Sequence, residues 1–291
     1  MASGGSQTKT KTRETPRGVL TEEIVMQLLW LSDIHLNFMK NKTIAKFIAS
    51  LTEWEPDAIV ITGDISTGNF VRECLEAFIY LQLPVYFVLG NHDFYGRDID
   101  IVREVVSDVS PNVIYLHREN KLIHLTDASV LVGVDGWADG AFGDWENSTV
   151  SEQLNDFFQI GAFIGESKNM RLFKMQELAR DSHNQLLSNL VKLNSESGIK
   201  HVYIATHVPP FRRSCIHEGH ISEPDWLPLF SCKMVGDLIR EYSQQHKDIQ
   251  FHVMCGHTHS VGECQIEENL WVSTAYARYS TPAIQKIFMV E

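Results

Sequence analysis

Residues 84–93 read PVYFVLGNHD, and this stretch decides the fold prediction. Its first six residues are an apolar run that predicts a buried strand, which ends at Gly90. Asn91, His92 and Asp93 then offer an amide oxygen, an imidazole and a carboxylate at the end of that strand. For this tetrapeptide alone an ordinary turn is the simpler interpretation, because Asn and Asp favour turns. Four further stretches of the same kind favour a shared site instead.

Each of these four stretches is also a polar motif that follows an apolar run. The predicted strands and the polar residues at their ends are 26–31 with Asp33 and His35, 57–62 with Asp64, 200–206 with His207, and 249–255 with His257 and His259. The members of the pairs Asp33/His35 and His257/His259 are two residues apart, so on extended chain they project to the same side. Taken singly, such a pair fits a helix cap or a solvated loop.

Amphipathic helical patterns separate the first three predicted strands. Residues 42–54 and 69–81 carry apolar side chains at helical spacing. Strands that alternate with helices predict a parallel sheet with right-handed crossovers. Because ligand sites in such sheets form beyond the carboxyl ends of the strands, we expect the first three motifs to meet at one edge.

The rest of the chain predicts further strands, helices and loops. Short strands that could pair antiparallel are predicted over 112–115, 121–125 and 129–134, and closing antiparallel strands over 262–266, 270–274 and 283–290. Helices are predicted over 151–160, 171–193 and 232–245. Residues 135–147 predict a long loop in which Trp137 and Trp145 either wall a pocket or cover the sheet edge. Residues 212–229 predict an irregular segment, either a lid or a mobile surface loop.

Length and composition are those of a soluble globular protein: 291 residues, 44% hydrophobic and 21% charged. No apolar run approaches the roughly 18 residues that a membrane span needs, so no membrane contact is predicted. Residues 1–18 are polar and lack the apolar region of a secretory signal. We interpret residues 1–25 as a disordered tail. We hypothesise that much of it is tag or vector sequence, because a predicted strand begins directly at Met26, as it would if Met26 were the initiator methionine. Residues 26–291 are the predicted folded domain.

Cysteine usage and charge restrict the compartment and the partners. The five cysteines are scattered and form no C-x-x-C pair, which argues against a disulfide framework or a thiolate zinc site and favours the reducing cytoplasm. The formal net charge of −12 argues against non-specific binding of duplex DNA, which draws on clustered Lys and Arg. Phosphate-bearing substrates remain compatible if their charge is met locally.

The donor atoms of the five motifs indicate a metal site. The motifs supply two Asp carboxylates, one Asn amide and five imidazoles. Mixed nitrogen and oxygen ligands without a thiolate suit a divalent ion such as Mn, Fe, Zn or Co. The number of donors is too high for one ion if one imidazole is left for chemistry, and it suits two ions that share a bridging carboxylate.

The ordered series D-x-H, G-D, G-N-H-D, H-x-P-P and G-H-x-H resembles the calcineurin-like metallophosphoesterase superfamily, from about Trp30 to Ser260. The resemblance implies an α/β fold, a four-layer α/β/β/α sandwich of two mixed sheets around two divalent or mixed-valence metal ions (Mn, Fe, Zn or Co). Two positions depart from common forms of the motifs. Thr67 stands where many members have a second Asp, and Cys255 stands where many have Gly. Neither is a ligand position.

The resemblance also implies a role for each motif residue. One metal is expected to be bound by Asp33, His35 and His259, with Asp64 bridging both ions. The second metal is expected to be completed by Asn91, His207 and His257. His92 is the expected catalytic histidine and Asp93 its orienting partner. A hydrogen bond to Asp93 would fix the tautomer of His92 and keep its ring cationic near pH 7.

The expected function is hydrolysis of small-molecule phosphate monoesters or diesters by attack of a metal-bound hydroxide on phosphorus. Two ions about 3.5 to 4 Å apart can bind the phosphoryl oxygens and lower the pKa of the attacking water. His92 would protonate the leaving oxygen or stabilise charge on the phosphoryl group. Arg97, Arg212 and Arg213 either grip the phosphate or are solvated surface residues.

Two alternatives stay open at this point. A protein-binding scaffold of the same fold would have lost its metals, yet no ligand position is missing here. A cyclic-nucleotide phosphodiesterase or a nuclease is a specialisation of the same chemistry, but a nuclease needs a basic track that the sequence lacks. Substrate choice is expected to lie in the loops 135–161 and 211–230. The substrate, the native metals and the oligomeric state are not determined by the sequence.

Overall fold

The structure is a computed structural model in which residues 10–14 and 20–291 are described. The predicted tail, residues 1–25, lies partly outside the described residues. Its described parts, β1 (Thr10–Glu14) and β2 (Leu20–Ile24), pair as an antiparallel two-stranded sheet. The hypothesis that this segment is tag or vector sequence stays a prediction.

The first large sheet is mixed and has five strands. In chain order they are β3 (Met26–Leu31), β4 (Ala58–Thr62), β5 (Val85–Val88), β6 (Val113–Tyr115) and β15 (Ile284–Val290). Strands β3 to β6 are parallel neighbours, and β15 pairs antiparallel with the outer edge of β3. The predicted parallel sheet is confirmed. The antiparallel pairing considered for residues 112–115 is wrong, because β6 continues the parallel series.

The second large sheet is mixed and has six strands. In chain order they are β7 (Ile123–His124), β8 (Ser129–Gly133), β9 (His201–Ala205), β12 (Gln250–Cys255), β13 (Gly262–Glu267) and β14 (Leu270–Thr274). The sheet order is β13-β14-β12-β9-β8-β7, and its four inner strands are parallel. Strand β14 was predicted as a closing antiparallel strand. It does form an antiparallel hairpin with β13, but its other edge pairs parallel with β12.

Helices follow several of the strands and flank the sheets. They are α1 (Asn41–Ser50), α2 (Val71–Glu76), α3 (Ile99–Val105), α4 (Asp156–Gln159), α5 (Lys168–Leu190), α6 (Leu227–Phe230) and α7 (Lys233–Gln245). The Ser167 hydroxyl caps α5 by accepting a hydrogen bond from the Met170 N–H at 3.3 Å. The predicted helix over 151–160 is mostly wrong, since only the four residues of α4 are α-helical there. A small hairpin of β10 (Ile216–His217) and β11 (His220–Ile221) lies in the predicted irregular segment.

The two large sheets pack face to face, which the burial pattern of β3 shows directly. Leu28 and Trp30 join a core cluster that also contains Tyr203 and Met254 of the second sheet. The alternate residues of β3, such as Leu29, belong to the larger cluster that contains the buried helix residues. Period-two alternation therefore divides each strand between the inter-sheet core and a helical layer. This confirms the predicted four-layer α/β/β/α sandwich.

The loop after β8 contributes to the core rather than to a pocket wall. The Trp137 ring lies 5.8 Å from Phe94 and 5.7 Å from Phe163 between ring centroids. Trp145 is buried as well. Both tryptophans therefore cover the sheet, which was one of the two interpretations. Within residues 10–14 and 20–291, no helix combines the length and the apolar character that crossing a bilayer requires.

Candidate metal centre

The five polar motifs meet at the carboxyl ends of β3, β4, β5, β9 and β12, and the backbone there is unusual. Five of the seven expected ligands have a left-handed backbone: Asp33 (φ 49°), His35 (φ 42°), Asp64 (φ 53°), His257 (φ 71°) and His259 (φ 55°). Non-glycine residues adopt this region at a cost, and such conformations persist where the surroundings fix them. The pairs therefore converge because the chain turns sharply, and the extended geometry expected from the sequence is wrong.

Backbone hydrogen bonds hold these turns together. The Asp33 N–H donates to the Gly63 carbonyl at 3.0 Å, and the His35 N–H donates to the Asp64 carbonyl at 3.0 Å. The loop after β3 is thereby fixed against the loop after β4. A Cβ at Gly90 would lie 2.2 Å from Asp64 Oδ1, so the third loop must approach this carboxylate without a side chain.

Four side chains form a first ligand group, namely Asp33, His35, Asp64 and His259. One donor atom from each lies within 4.8 Å of the others. The closest approach is 3.1 Å, between Nε2 of His35 and Nε2 of His259, and His259 Nε2 lies 3.4 Å from Asp33 Oδ1. Asp64 Oδ2 is 3.7 Å from His35 Nε2. Buried His35 also has its Nδ1 atom without a hydrogen-bond partner among the described residues.

The two carboxylates of the first ligand group titrate in opposite directions. Burial raises the pKa of Asp33. The hydrogen bond with His259 and the charges of the nearby imidazoles lower the pKa by more than burial raises it, so the pKa lies below its usual value. Burial and the charges of Asp33 and Asp93 raise the pKa of Asp64 well above the usual value. Burial lowers the pKa of His35 to about 3. Two adjacent buried carboxylates repel each other when both are ionised, and a bound divalent cation would offset that repulsion.

Asn91, His207 and His257, together with Asp64, form a second ligand group. Asn91 Oδ1 lies 3.1 Å from His207 Nε2 and 2.9 Å from His257 Nδ1. His207 Nε2 is also 3.4 Å from Asp64 Oδ1. The two oxygens of Asp64 therefore face different groups, as expected for a bridging carboxylate.

The protonation of the second ligand group can be worked out from its outer partners. His207 Nδ1 donates to the Thr62 carbonyl at 2.8 Å, so Nε2 carries a free lone pair. His257 Nε2 lies 3.4 Å from the Leu229 carbonyl, and the tautomer that donates to this carbonyl leaves a lone pair on Nδ1. In that tautomer both lone pairs face the Asn91 carboxamide oxygen, so three acceptor atoms point at one another without a proton between them. Such a set fits a cation, and we conclude that the residues suit a metal ion.

Asp156 on α4 fixes the orientation of the Asn91 amide. The Asn91 Nδ2 group donates to Asp156 Oδ1 at 2.9 Å, and the Tyr95 hydroxyl donates to the same oxygen at 2.6 Å. Asp156 is buried, and its burial raises its pKa. With its NH₂ held there, Asn91 must present Oδ1 to the two histidines. No sequence motif indicates this role, because Asp156 lies 65 residues from Asn91 in a stretch without one.

Replacing Asp156 by Leu is expected to lower metal affinity at the second ligand group by about 10- to 100-fold, the usual effect of losing an outer partner of a ligand. The Asn91 amide would lose its anchor and could rotate its NH₂ towards the histidines. Elemental analysis after dialysis against a weak chelator measures the effect. The control is Asp144→Asn, which changes an exposed carboxylate of the neighbouring loop. Unchanged stoichiometry and affinity in Asp156→Leu would contradict the assigned role.

His92 lies at the edge of both ligand groups. Its ring stacks on Tyr95 with centroids 4.3 Å apart and lies 4.7 Å from the His35 ring. Its backbone N–H donates to Asp64 Oδ1 at 2.9 Å. Burial and the neighbouring imidazoles lower the pKa of His92 to about 4. In contrast to the expectation that His92 is cationic near pH 7, this lowered pKa favours the neutral ring.

Asp93 does not orient His92 as expected. Its carboxylate accepts hydrogen bonds from the backbone N–H groups of Gly90 at 2.9 Å, Ile65 at 2.9 Å and Ser66 at 2.8 Å. No hydrogen bond joins it to the His92 ring in the described part of the chain. The fully buried carboxylate, whose pKa burial raises to about 7, instead ties the loop after β4 to the turn after β5. Its contribution to the site is the position of those two loops.

A second carboxylate missed by sequence reasoning, Asp135, connects the two sheets behind the ligands. Its Oδ1 accepts the Leu89 N–H at 2.9 Å, and its backbone carbonyl accepts the His207 N–H at 2.8 Å. Its Oδ2 accepts the Tyr115 hydroxyl at 2.6 Å and pairs with Arg103 at 3.0 Å. The ends of β5 and β9 are thus held to one residue, β5 by its side chain and β9 by its backbone carbonyl.

The three arginines considered for phosphate binding lie on the surface. Arg97, Arg212 and Arg213 are all exposed. Arg97 donates to Asn69 Oδ1 at 2.7 Å, and Arg213 donates to the Gln265 carbonyl at 3.0 Å. This placement favours the interpretation that they are solvated surface residues.

The sequence profile described as calcineurin-like phosphoesterase matches residues 26–261. The chain belongs to this family. The predicted family is thereby confirmed. All five motifs lie within the matched residues.

Two curated relatives of this chain carry the same description, transmembrane protein with metallophosphoesterase domain. The one from Bos taurus is 34% identical over 108 residues, which cover 35% of this chain and 24% of the relative. The one from Danio rerio is 31% identical over 80 residues, which cover 26% of this chain and 18% of the relative. The matched part of the chain thus spans about a quarter or less of each relative.

Solved structures share the fold of this chain. The phosphopantetheinyl hydrolase from Mycobacterium tuberculosis matches with a TM-score of 0.59 at 14% identity, covering 87% of this chain and 89% of the other. A dimetal phosphatase from Danio rerio matches with a TM-score of 0.56 at 12% identity, covering 91% of this chain and 93% of the other. At these identities the likeness establishes the fold.

Proposed function

We propose that the protein hydrolyses small-molecule phosphate monoesters or diesters at a centre of two divalent ions. The first ion is assigned to Asp33, His35 and His259, the second to Asn91, His207 and His257, and the shared ligand is Asp64. The observation that carries the proposal is the second ligand group, in which Asn91 Oδ1 lies 3.1 Å from His207 Nε2 and 2.9 Å from His257 Nδ1. These converging donor atoms suit a cation, and apart from Asp64 they are separate from the donors of the first ligand group.

The two ions would supply positive charge to the phosphoryl oxygens and make an attacking water acidic enough to ionise near neutral pH. The chain's own residues orient the substrate and move protons. His92 borders both ligand groups; its neutral ring can donate a hydrogen bond to a phosphoryl oxygen, and only its protonated form can pass a proton to the leaving oxygen. Tyr95 stacks against this ring at 4.3 Å and holds it in place.

The donor set also supports a choice of metals and compartment. Imidazole, carboxylate and amide donors suit Mn, Fe, Zn or Co, and the proposal includes any of these. All five cysteines are free thiols, four of them buried. Free thiols support the proposed reducing cytoplasm. The complete ligand set speaks against a metal-free scaffold.

A paired hydrolysis assay tests the proposed function. Protein stripped by a chelator and then loaded with Mn, Fe, Zn or Co is offered p-nitrophenyl phosphate and bis-p-nitrophenyl phosphate. We expect turnover only after metal loading, and its loss again on chelation. Faster diester hydrolysis identifies a phosphodiesterase, and faster monoester hydrolysis identifies a phosphatase. Absence of turnover with every metal and both esters would favour the scaffold.

A further inference from the structure

Two aromatic rings stand beside the first ligand group, and we call this pair, Phe38 and Tyr279, the aromatic wall. Their ring centroids are 4.8 Å apart. The Tyr279 ring lies 4.6 Å from the His35 ring and 5.3 Å from the His259 ring. Phe38 is 51% exposed and Tyr279 is 45% exposed. The aromatic wall therefore contacts the ligands on one side and faces solvent on the other.

The aromatic wall is held in place by both of its chain segments. Phe38 ends the short 3-10 helix Leu36–Phe38, which directly follows His35. Tyr279 lies in the connection between β14 and β15, and the neighbouring Ser280 hydroxyl donates to the Phe38 carbonyl at 3.2 Å. The two segments are thus joined although they are 242 residues apart. Such a tie fixes both rings next to the ligand group.

The aromatic wall also lies partly outside the family pattern. The match to the calcineurin-like phosphoesterase profile ends at residue 261, so Tyr279 is not among the matched residues. The expected specificity loops, 135–161 and 211–230, do not contain either ring. Phe38 therefore lies within the matched residues, whereas Tyr279 reaches the metal site from a segment beyond them.

Exposed aromatic faces beside a metal site favour a particular kind of substrate. A phosphoryl group held at the ligand groups must point its ester substituent away from the donors, along one of the bordering surfaces. Aromatic rings lose unfavourable hydration when another ring covers them, and offset or tilted ring pairs gain further energy beyond the area buried. A saturated substituent of equal size would gain the burial but not the ring–ring contact.

We propose that the aromatic wall selects phosphoesters whose alcohol carries a planar aromatic ring. This inference rests on the proposed phosphoester hydrolysis and names its substrate class. A second aromatic pair, Trp226 and Phe230, lies beside the second ligand group, with the Phe230 ring 4.5 Å from the His257 ring. The assignment to Tyr279 and Phe38 is therefore specific and can be tested against that pair.

The test compares 2-phenylethyl phosphate with 2-cyclohexylethyl phosphate. Both are esters of a primary alcohol, so their leaving groups are alike and only the ring differs. We expect the metal-loaded wild type to favour the phenyl ester by about five- to tenfold in kcat/KM, the usual scale of a ring–ring contact. Tyr279→Leu and Phe38→Leu should reduce this ratio towards one. Tyr279→Phe, which keeps the ring, should retain it.

Tyr276→Leu is the matched control. Tyr276 lies three residues before Tyr279 in the same segment and is 50% exposed. It should leave the ratio unchanged. A ratio near one in the wild type would overturn the inference. So would a ratio that survives Tyr279→Leu and Phe38→Leu but is lost in Trp226→Leu, because the second aromatic pair would then select the ring.

Binding supplies a readout that does not depend on turnover. Titration calorimetry with 3-phenylpropylphosphonate and 3-cyclohexylpropylphosphonate measures the same discrimination with esters replaced by stable C–P analogues. We expect the phenyl phosphonate to bind about five- to tenfold more tightly than the cyclohexyl phosphonate, and Tyr279→Leu to remove this preference. If the wild type hydrolyses no ester yet prefers the phenyl phosphonate, the proposed hydrolysis fails while the aromatic wall stands. If it hydrolyses both esters equally and binds both phosphonates equally, the aromatic wall fails while the hydrolysis stands.

Discussion

Asp64→Asn is expected to leave the protein unable to retain either metal ion and without measurable phosphoesterase activity. One oxygen of Asp64 lies 3.7 Å from His35 Nε2 and the other lies 3.4 Å from His207 Nε2, so the carboxylate serves both ligand groups. An amide at this position carries no charge and presents one oxygen and one NH₂ group. Mutation of a residue that only hydrogen-bonds to a metal ligand lowers metal affinity by up to roughly 100-fold. Because Asp64 is itself an expected ligand, we expect Asp64→Asn to lower metal affinity by more than this.

Elemental analysis of dialysed protein, together with circular dichroism to confirm folding, measures the effect of Asp64→Asn. The control is Asp127→Asn, which alters an exposed carboxylate next to β8 and should keep the wild-type metal content. Two ions per folded Asp64→Asn chain would rule out a bridging Asp64. Retention of a single ion would show that only one ligand group depends on it.

His92→Ala is expected to keep the metal content and to lower kcat by about 100- to 10,000-fold, the range typical of a lost general acid or base. The His92 ring is not part of either ligand group, and its backbone N–H, which donates to Asp64 Oδ1 at 2.9 Å, survives the substitution. If the ring passes a proton to the leaving oxygen, the defect should be larger for an alkyl phosphate than for p-nitrophenyl phosphate. The nitrophenolate leaving group needs little protonation.

The measurements for His92→Ala are metal content and kcat with both kinds of ester. His124→Ala is the control, since His124 is an exposed residue of the edge strand β7. Undiminished turnover of both esters would show that His92 has no chemical role. An equal defect with both esters would instead assign it to stabilising charge on the phosphoryl group.

Much of the architecture could be predicted because short stretches of the sequence indicate each strand and the polar motif that follows it. The buried parallel strands are continuous apolar runs, as in residues 59–61 and 85–88, and polar residues follow each run directly. The pairing of strands with one another is harder to predict from the sequence. A short run such as 270–274 shows that it is a strand, but its parallel pairing with β12 depends on contacts with residues far away in the chain.

The ligand groups could be predicted from motifs, whereas their support could not. Asp156, Asp135 and Tyr279 are single ordinary residues in the sequence, and only the folded chain brings them to the site. The stretch at 90–93 also shows that its two interpretations are compatible. It is a turn, stabilised by three backbone hydrogen bonds to Asp93, and the same turn presents Asn91 to the histidines.

The distribution of the ligands over the two sheets couples metal binding to the stability of the whole sandwich. Each ligand group takes donors from the first sheet and from the second, as with Asp33 and His259 in one group and Asn91 and His207 in the other. A bound ion therefore acts as a cross-link between the sheets, and their separation requires its release. At a free metal concentration 100 times the dissociation constant, one such ion adds about 2.7 kcal/mol to the free energy of unfolding. Chelation should thus loosen the sandwich at the seam between its sheets.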